Sequence, residues 1–299
     1  MAMSELENLH LRFCQYSSVF KGNTPRTIDW FKTDFRWFLG FAKIERLDQL
    51  TKHQIEDWIL YGKLERKWVA KTVRLRLQSL SLFLDWCLQE GYITENPCKK
   101  IPRPKLPKSI PKHLTSEQTA KLMDWVKNYP FIYKFDKYRA IAIISTFLFT
   151  GIRKAELMNL KLDDIDLTSK SLFVKQGKSS KDRIIPLHDT LIEALTRYLK
   201  ERKRLGKSCP YFFTAMRQDS VMGELVIKRL VEKIRDKSGI CFYPHLLRHT
   251  FATLMLEGGC NLFALSQMMG HSDIKTTTIY LSATKAHLQE QITKHPMGI

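Results

Sequence analysis

The sequence has no CxxC pair and no long hydrophobic run, and these absences exclude several classes of protein. Its six cysteines are scattered, so the spacing of a zinc ribbon or a thioredoxin-type site is missing. The most apolar run, Ala140–Phe149, is too short to cross a bilayer and predicts a buried helix. No basic segment followed by an apolar one opens the chain, so we expect no secretory signal. Scattered thiols and no signal predict a cytoplasmic protein without membrane contact.

Acidic residues are few relative to basic ones. The 299-residue chain has 30 Asp plus Glu against 49 Lys plus Arg, a formal net charge of +19. An excess of this size favours a polyanionic partner, most often nucleic acid, over a merely solvated basic surface. Hydrophobic residues make up 44% and charged residues 26%, which is typical of globular domains and excludes a disordered chain.

The first segment, residues 1–95, predicts a helical domain. Capping patterns mark three helix starts, at Ser4, at Thr24 followed by proline, and at Thr51. A longer stretch of apolar residues at helical spacing follows and ends at Gly91, which predicts a fourth helix. We therefore expect four helices with one apolar face each.

Proline and lysine concentrate in residues 96–114, which we interpret as a linker. Its five prolines disfavour helix and predict a semi-rigid extended chain. Its basic residues either lie along a phosphate backbone or only solubilise the tether, and those of the preceding helix have the same two interpretations. The candidate DNA contacts in the two segments are Lys71, Arg74, Arg76, Arg103 and Lys105.

The remaining segment, residues 115–299, predicts a second domain that is mainly helical with a small β-hairpin. Two short strands are expected at 171–175 and 183–187, joined by a polar turn. Pro186 indicates an edge position or a strand end. Helices are predicted at about 115–127, 138–149, 189–203, 222–237, 244–258, 261–269 and 273–282.

Residues 245–280 bring chemically active side chains together among apolar ones. His245 and Arg248 are three apart, so they share a face of the predicted helix. Imidazole, guanidinium and phenol together suit phosphoryl transfer, because they supply a cation, a proton carrier and a nucleophile. His245 and His249 also have zinc-like spacing, but no glutamate follows His245 and Arg248 would repel a dication. We therefore expect no metal and no cofactor.

The order of motifs resembles the tyrosine recombinase, or phage-integrase, family. The matching segments are Thr150-Gly-Ile-Arg-Lys-Ala-Glu-Leu157, His245-Leu-Leu-Arg-His249, Gly270-His271 and Tyr280. Any one piece alone is weak, whereas the ordered set is specific. The resemblance implies a helical core-binding (SAM-like) domain before a catalytic domain. It is nearest to Xer-like members and short integrases without an arm-binding domain.

The resemblance also assigns roles to particular residues. Tyr280 matches the nucleophile that attacks a DNA phosphorus. Arg153 and Arg248 match the arginines that hold the non-bridging oxygens, a task suited to a planar, permanently charged fork. His245 matches the histidine that assists proton transfer. His271 matches the His-or-Trp position that bonds the phosphate.

Other assignments are less direct. Lys178, in the polar turn, best matches the lysine that protonates the leaving 5′ oxygen, and Lys175 and Lys181 remain alternatives. Glu156 resembles a residue that orients its neighbours, although alone it would be only a salt-bridge partner of an arginine. His249 alone would be a packed or hydrogen-bonded core histidine, so we expect it beside the site and not in it.

The resemblance implies site-specific recombination through a 3′-phosphotyrosyl intermediate and a Holliday junction, for integration, excision or dimer resolution. Four protomers on two DNA duplexes are implied, with or without a partner recombinase or accessory protein. Leu288 and Ile292 lie on a possible C-terminal helix that would dock on a neighbouring protomer. Two alternatives stay open, namely relaxation of one strand as in type IB topoisomerases and a catalytically silent DNA-binding or architectural protein.

Overall fold

The computed structural model describes residues 3–106, 111–175, 182–271 and 273–280. The chain divides into two compact units, Met1–Lys108 and Ser109–Ile299. Helices dominate both units, and the second also contains a small antiparallel sheet. The predicted fold class is thus confirmed. Among the described helices none has the length and apolar character needed to cross a membrane.

The first unit consists of four helices around an aromatic core. Three of them begin where the sequence predicted, because the hydroxyls of Ser4, Thr24 and Thr51 each accept a backbone N–H of the first turn. Phenylalanine and tryptophan side chains from all four fill the core. The helices are α1 (Glu5–Val19), α2 (Pro25–Ala42), α3 (Lys52–Leu64) and α4 (Ala70–Gln89).

Arg76 on α4 belongs to this core and not to a DNA-facing surface. Its Nη1 donates to Oδ1 of Asp34 at 2.9 Å, and only 14% of its side chain is exposed. Its guanidinium lies 4.3 Å from the ring centre of Trp68 and 5.2 Å from that of Trp37. The expectation that Arg76 contacts DNA is corrected, because its charge is already paired and covered by aromatic rings.

The start of the expected linker is folded into the first unit. The Nδ2 of Asn96 donates to Oδ1 of Asp85 at 2.8 Å, and Asn96 is buried. A 3₁₀ turn follows at Pro97–Lys100, and Ile101 joins the aromatic core. The predicted boundary after residue 95 is therefore too early. Proline excluded an α-helix as expected, but the apolar residues between the prolines still pack.

The second unit is built around one helix that is buried on almost every side. This helix, α6, packs against α8 and α10, and its residues 139–148 are all buried. The helices of the unit are α5 (Ser116–Asn128), α6 (Lys134–Thr150), α7 (Lys154–Asn159), α8 (Asp189–Arg204), α9 (Glu224–Ser238), α10 (Pro244–Glu257), α11 (Leu262–Met269) and α12 (Lys275–Thr278).

The sheet of the second unit has the order β1-β2-β3 and is antiparallel. The strands are β1 (Ile165–Asp166), β2 (Ser171–Val174) and β3 (Arg183–Pro186). The two longer strands were predicted, and Pro186 ends the edge strand as expected. The sequence did not reveal β1, because two residues are too few to show a period of two.

We predict that Arg76→Ala lowers the free energy of unfolding of the first unit by about 3–5 kcal/mol, because it leaves the buried carboxylate of Asp34 unpaired. Urea unfolding of the full chain followed by tryptophan fluorescence measures this, since Trp125 is the one tryptophan outside the unit. Lys71→Ala, an exposed change on the same helix, should stay within about 0.5 kcal/mol of wild type. Equal losses in the two variants would contradict the structural role.

Candidate active site

The buried guanidinium of Arg248 on α10 is the centre of the candidate site. Its Nη1 donates to the carbonyl of Gly151 at 2.5 Å and its Nη2 to that of Met269 at 2.6 Å. Burial, with a smaller contribution from the charge of Arg153, lowers the pKa of Arg248 to about 10. The group therefore remains a cation at neutral pH and ties together the ends of α6 and α11.

Arg153 reaches the same turn from a different helix end. Gly151 ends α6 with φ of 60°, and a Cβ there would lie 2.3 Å from Phe251 Cδ1, so this turn requires glycine. Two residues later Arg153 is the N-cap residue of α7, and it donates from Nη2 to the carbonyl of Gly270 at 3.2 Å. Because Arg248 donates to Met269, the two guanidinium groups converge on consecutive carbonyls.

A shared carboxylate holds the arginines in place. Glu156 Oε1 accepts from Arg153 Nη1 at 2.7 Å and from Arg183 Nη1 at 3.1 Å, while its Oε2 accepts from Arg183 Nη2 at 2.7 Å. Burial raises the pKa of Glu156, but the hydrogen bonds from Arg183 and Arg153 outweigh it and leave the pKa lowered. The carboxylate is thus ionised and neutralises part of the local positive charge.

His271 lies between Arg248 and α12. Its Nε2 is 3.0 Å from Nη2 of Arg248, and its Nδ1 is 2.8 Å from Oγ1 of Thr277. Arginine can only donate, so Nε2 must accept and the proton must be on Nδ1, facing the threonine. Burial and the positive charge of Arg248 lower the pKa of His271 to about 4, so its ring is neutral at physiological pH.

The side chain of Tyr280 is packed in a small apolar cluster beside the arginines. It is 2% exposed and lies among residues of α10 and α11 that include Phe251, Leu265 and Met269. Its hydroxyl is 2.7 Å from Nδ1 of His249. Burial raises the pKa of Tyr280, and the charge of Arg248 opposes this effect only partly. The phenol is therefore protonated at neutral pH.

The two histidines of α10 lie one turn apart. The ring centres of His245 and His249 are 4.5 Å apart in an edge-to-face arrangement, and His245 is the more exposed. Burial and the charges of His245 and Arg248 lower the pKa of His249 to about 4. Within the described ranges no group of three His, Cys, Asp or Glu residues is placed to hold a metal ion.

The hairpin lysines are only partly described. Lys178 and Lys181 lie outside the described residues. Lys175, at the end of β2, has its Nζ 3.3 Å from Asp164 Oδ1 and lines a cleft of about 630 Å³ together with Arg153. Lys175, the residue after β2, therefore borders the same cleft as the first of the two arginines.

The other predicted DNA contacts belong to the first unit. Lys71 and Arg74 lie three apart on α4, and Lys71 is exposed. Arg103 and Lys105 are exposed beyond the 3₁₀ turn. The described contacts leave these four available to a ligand, in contrast to the core residue Arg76.

Two residues of the site were missed at the level of the sequence. Arg183 is buried and donates two hydrogen bonds to the carboxylate of Glu156. Its Nε donates to the carbonyl of Met268 at 2.7 Å. The burial of Arg183 could have been predicted, because side chains alternate between the two faces of β3. Arg183 shares a face with buried Ile185 and not with exposed Ile184. Thr277, the partner of His271, gave no signal among three consecutive threonines.

This geometry defines a class of protein, namely one in which a tyrosine lies beside a pair of converging arginines in a mostly helical domain. The chain belongs to the Phage integrase family, whose profile matches residues 112–287. It is a tyrosine recombinase of the Xer type, an enzyme of site-specific recombination that cleaves and rejoins DNA. The predictions of family, fold and enzyme class are thereby confirmed.

Relatives and solved structures resemble the chain over most of its length. Tyrosine recombinase XerC of Thermodesulfovibrio yellowstonii is 32% identical over 96% of this chain and 95% of its own. Tyrosine recombinase XerA of Pyrococcus horikoshii is 34% identical over 75% and 73%. A crystal structure of XerA recombinase has 26% identity and a TM-score of 0.54, covering 97% and 98%. XerH recombinase bound to its difH substrate has 20% identity and a TM-score of 0.77, covering 95% and 83%, and supports the fold alone.

We predict that the free energy of unfolding falls as the pH is lowered from about 6.5 to 4. His249 and His271 have folded pKa values of about 4 against 6.5 for a free imidazole. Over this interval the unfolded chain binds protons at both rings that the folded chain does not, so acid favours unfolding. The destabilisation by these two histidines is absent at pH values above the unfolded pKa and reaches its full size at pH values below the folded pKa.

Calorimetric unfolding at a series of pH values measures this dependence, and the variant H249N/H271N should show a shallower slope than wild type. His10, buried in the first unit with a pKa lowered to about 3, contributes equally to both proteins and cancels in the difference. Identical slopes would show that the two rings are protonated as easily in the folded chain as in the unfolded one.

Proposed function

We propose that this chain binds a DNA recombination site and exchanges strands through attack of Tyr280 on a backbone phosphate held by Arg153 and Arg248. The observation that carries the proposal is the convergence of both guanidinium groups on the carbonyls of Met269 and Gly270, with the tyrosine hydroxyl on His249, the residue that follows Arg248. Cations fixed in this way stabilise the charge that builds up on the phosphate oxygens in the transition state.

Each cation has one contact weak enough to be exchanged for a phosphate, in addition to the stronger bonds that hold it in place. Arg153 donates to a carbonyl at 3.2 Å and 40% of its side chain is exposed, while Arg248 contacts the neutral ring of His271. A phosphate oxygen adds the attraction of opposite charges to such a hydrogen bond and can accept from the guanidinium at two points. Glu156 and Arg183 keep the Arg153 side chain in position during this exchange, because the carboxylate binds both.

In this proposal the tyrosine oxygen displaces the 5′ oxygen of the scissile phosphate, giving a 3′-phosphotyrosyl bond and a free 5′ hydroxyl. The energy of the broken bond is kept in the new one, so the exchange needs no cofactor. His245 assists proton transfer, and His271 forms a hydrogen bond to the phosphate. Because Tyr280 is only 2% exposed, DNA reaches its hydroxyl only after the segment that carries it shifts.

The leaving 5′ oxygen needs a proton, and we assign this task to Lys178. The support comes from the strands before and after it in the chain, since Val174 pairs with Arg183 across β2 and β3. Arg183 in turn is bound to Glu156, the carboxylate that also holds Arg153. The strand residues on either side of Lys178 are therefore tied, through Arg183, to the carboxylate that holds Arg153. Lys175 is a weaker candidate because its Nζ is paired with Asp164.

We further propose that four protomers act on two DNA duplexes in the cytoplasm, a compartment that suits six free cysteines. Lys71, Arg74, Arg103 and Lys105 contact the phosphate backbone in this assembly. Strand relaxation of the topoisomerase type and silent DNA binding are the competing functions. The full set of charged and nucleophilic groups favours cutting over silent binding, and the match to Xer recombinases along the whole chain favours exchange over relaxation.

We predict that wild type, but not Tyr280→Phe, forms a covalent adduct with a nicked suicide duplex, because only the phenol can become a phosphodiester. The duplex is obtained by selecting randomised DNA for binding to the full chain. The reaction is run in chelator and followed by denaturing electrophoresis. Wild type that binds the duplex and never forms the adduct would contradict the enzymatic proposal, and an adduct from Tyr280→Phe would contradict the nucleophile.

Arg153→Ala should slow adduct formation by about 10²–10³-fold while DNA affinity changes far less, because the arginine acts mainly on the transition state. Single-turnover cleavage and equilibrium binding on the same duplex measure the two effects. Lys154→Ala removes the neighbouring charge, which is paired with Glu224 outside the site, and should cleave at the wild-type rate. Equal losses in rate and binding for Arg153→Ala would indicate a contact made already in the ground state.

The double variant K71A/R74A tests the proposed backbone contacts of the first unit. Each phosphate contact contributes about 0.9 to the slope of log affinity against log salt, so the slope should decrease in magnitude by about 1.8. Binding to the selected duplex over a salt series gives the slope. Lys200→Ala, an exposed lysine on α8, should leave it unchanged, and an unchanged slope in the double variant would exclude both contacts.

A further inference from the structure

His249 touches the atom that becomes the nucleophile. Its Nδ1 lies 2.7 Å from the hydroxyl oxygen of Tyr280, a short hydrogen-bond distance. The two ring centres are 5.5 Å apart and the planes are inclined by 51°. The rings are therefore not stacked, and the contact is made by the nitrogen and the hydroxyl.

The protonation states of the pair suit a transfer from phenol to imidazole. His249 is neutral, because burial and the nearby charges of His245, Arg248 and His113 lower its pKa to about 4. Tyr280 keeps its proton, because burial raises its pKa. A neutral phenol can donate to the lone pair on Nδ1, which leaves the imidazole proton on Nε2.

The position of His249 on α10 places it beside the phosphate site. It directly follows Arg248 and lies one helical turn beyond His245, with the two imidazole centres 4.5 Å apart. A phosphate bound by Arg248 is thus next to His249. The tyrosine oxygen contacts the His249 ring before attack, and it remains near this ring when it has moved to the phosphorus.

Proton transfer is needed only as the new bond forms. A free phenol is a much weaker acid than the His249 imidazolium, so the proton stays on the oxygen in the resting enzyme. As the oxygen bonds to phosphorus its acidity rises steeply, and a base within hydrogen-bond reach can then remove the proton. The surrounding cations do not hinder this step, because the attacked phosphate brings negative charge into the site.

We propose that His249 is a catalytic residue that accepts the phenol proton of Tyr280 during attack. The bond from the tyrosine oxygen to phosphorus forms, the bond from phosphorus to the 5′ oxygen breaks, and the leaving oxygen takes a proton from the hairpin lysine. In the rejoining step a 5′ hydroxyl gives its proton back to the hairpin lysine and displaces the tyrosine, and His249 returns its proton to the departing phenolate. This inference rests on the proposed nucleophilic role of Tyr280.

Two substitutions separate proton acceptance from simple positioning. His249→Asn puts an amide oxygen near the place of Nδ1, so it can still hold the phenol but cannot be protonated near neutral pH. His249→Ala removes both abilities. We expect both variants to bind the selected duplex normally and to form the covalent adduct about 10²-fold or more slowly than wild type. His53→Ala, an exposed imidazole of the first unit, should react like wild type.

Fluorotyrosine incorporated at position 280 provides a readout that a structural role would not change. Its phenol is more acidic and depends less on a base, so the ratio of wild-type to His249→Asn rates should shrink toward one. The same substitution in an otherwise wild-type chain should alter the rate only weakly. This second measurement keeps the test valid if His249→Ala fails to fold.

Three results would overturn the inference. Faster cleavage by His249→Ala would mean that the contact only sequesters the tyrosine. A wild-type rate for His249→Asn would mean that the ring only positions it, and a rate ratio unaffected by fluorination would mean that no proton passes to it. Failure of the proposed function itself looks different, because wild type would then form no adduct and the variants would not differ from it.

Discussion

The second unit depends on one buried cation bound to backbone carbonyls. Arg248 joins the end of α6 at Gly151 to the end of α11 at Met269, and its helix α10 packs along α6. A guanidinium in this position would be costly if its hydrogen bonds were lost. The same bonds that satisfy Arg248 therefore fix where α11 ends and where the tyrosine segment begins.

Positive charge is concentrated around Arg248, and neighbouring groups neutralise only part of it. Glu156 is ionised and binds both Arg153 and Arg183, which limits repulsion among the three arginines. The imidazoles of His249 and His271 remain neutral because burial and these cations oppose their protonation. A net positive site with neutral bases matches a reaction on a phosphodiester, which supplies the missing negative charge.

Local sequence signals were sufficient for most of the fold. The hydroxyl caps of α1, α2 and α3 and the apolar run of α6 were readable because capping and burial depend on residues close in the chain. The sequence did not predict correctly where the first unit ends. Asn96 and Ile101 pack into it through contacts with residues of the preceding helices, and a proline-rich composition carries no information about such contacts.

The sequence by itself determined the residue types of the site and their order, because motif spacing preserves the reacting groups. Only the tertiary structure decided which charged side chains are exposed and which are paired inside the core. Lys71 is exposed while Arg76, on the same helix, pairs with Asp34 in the core. Likewise, nothing in the spacing of His249 and Tyr280 revealed their contact, since it arises because Tyr280, just after α12, packs against residues of α10.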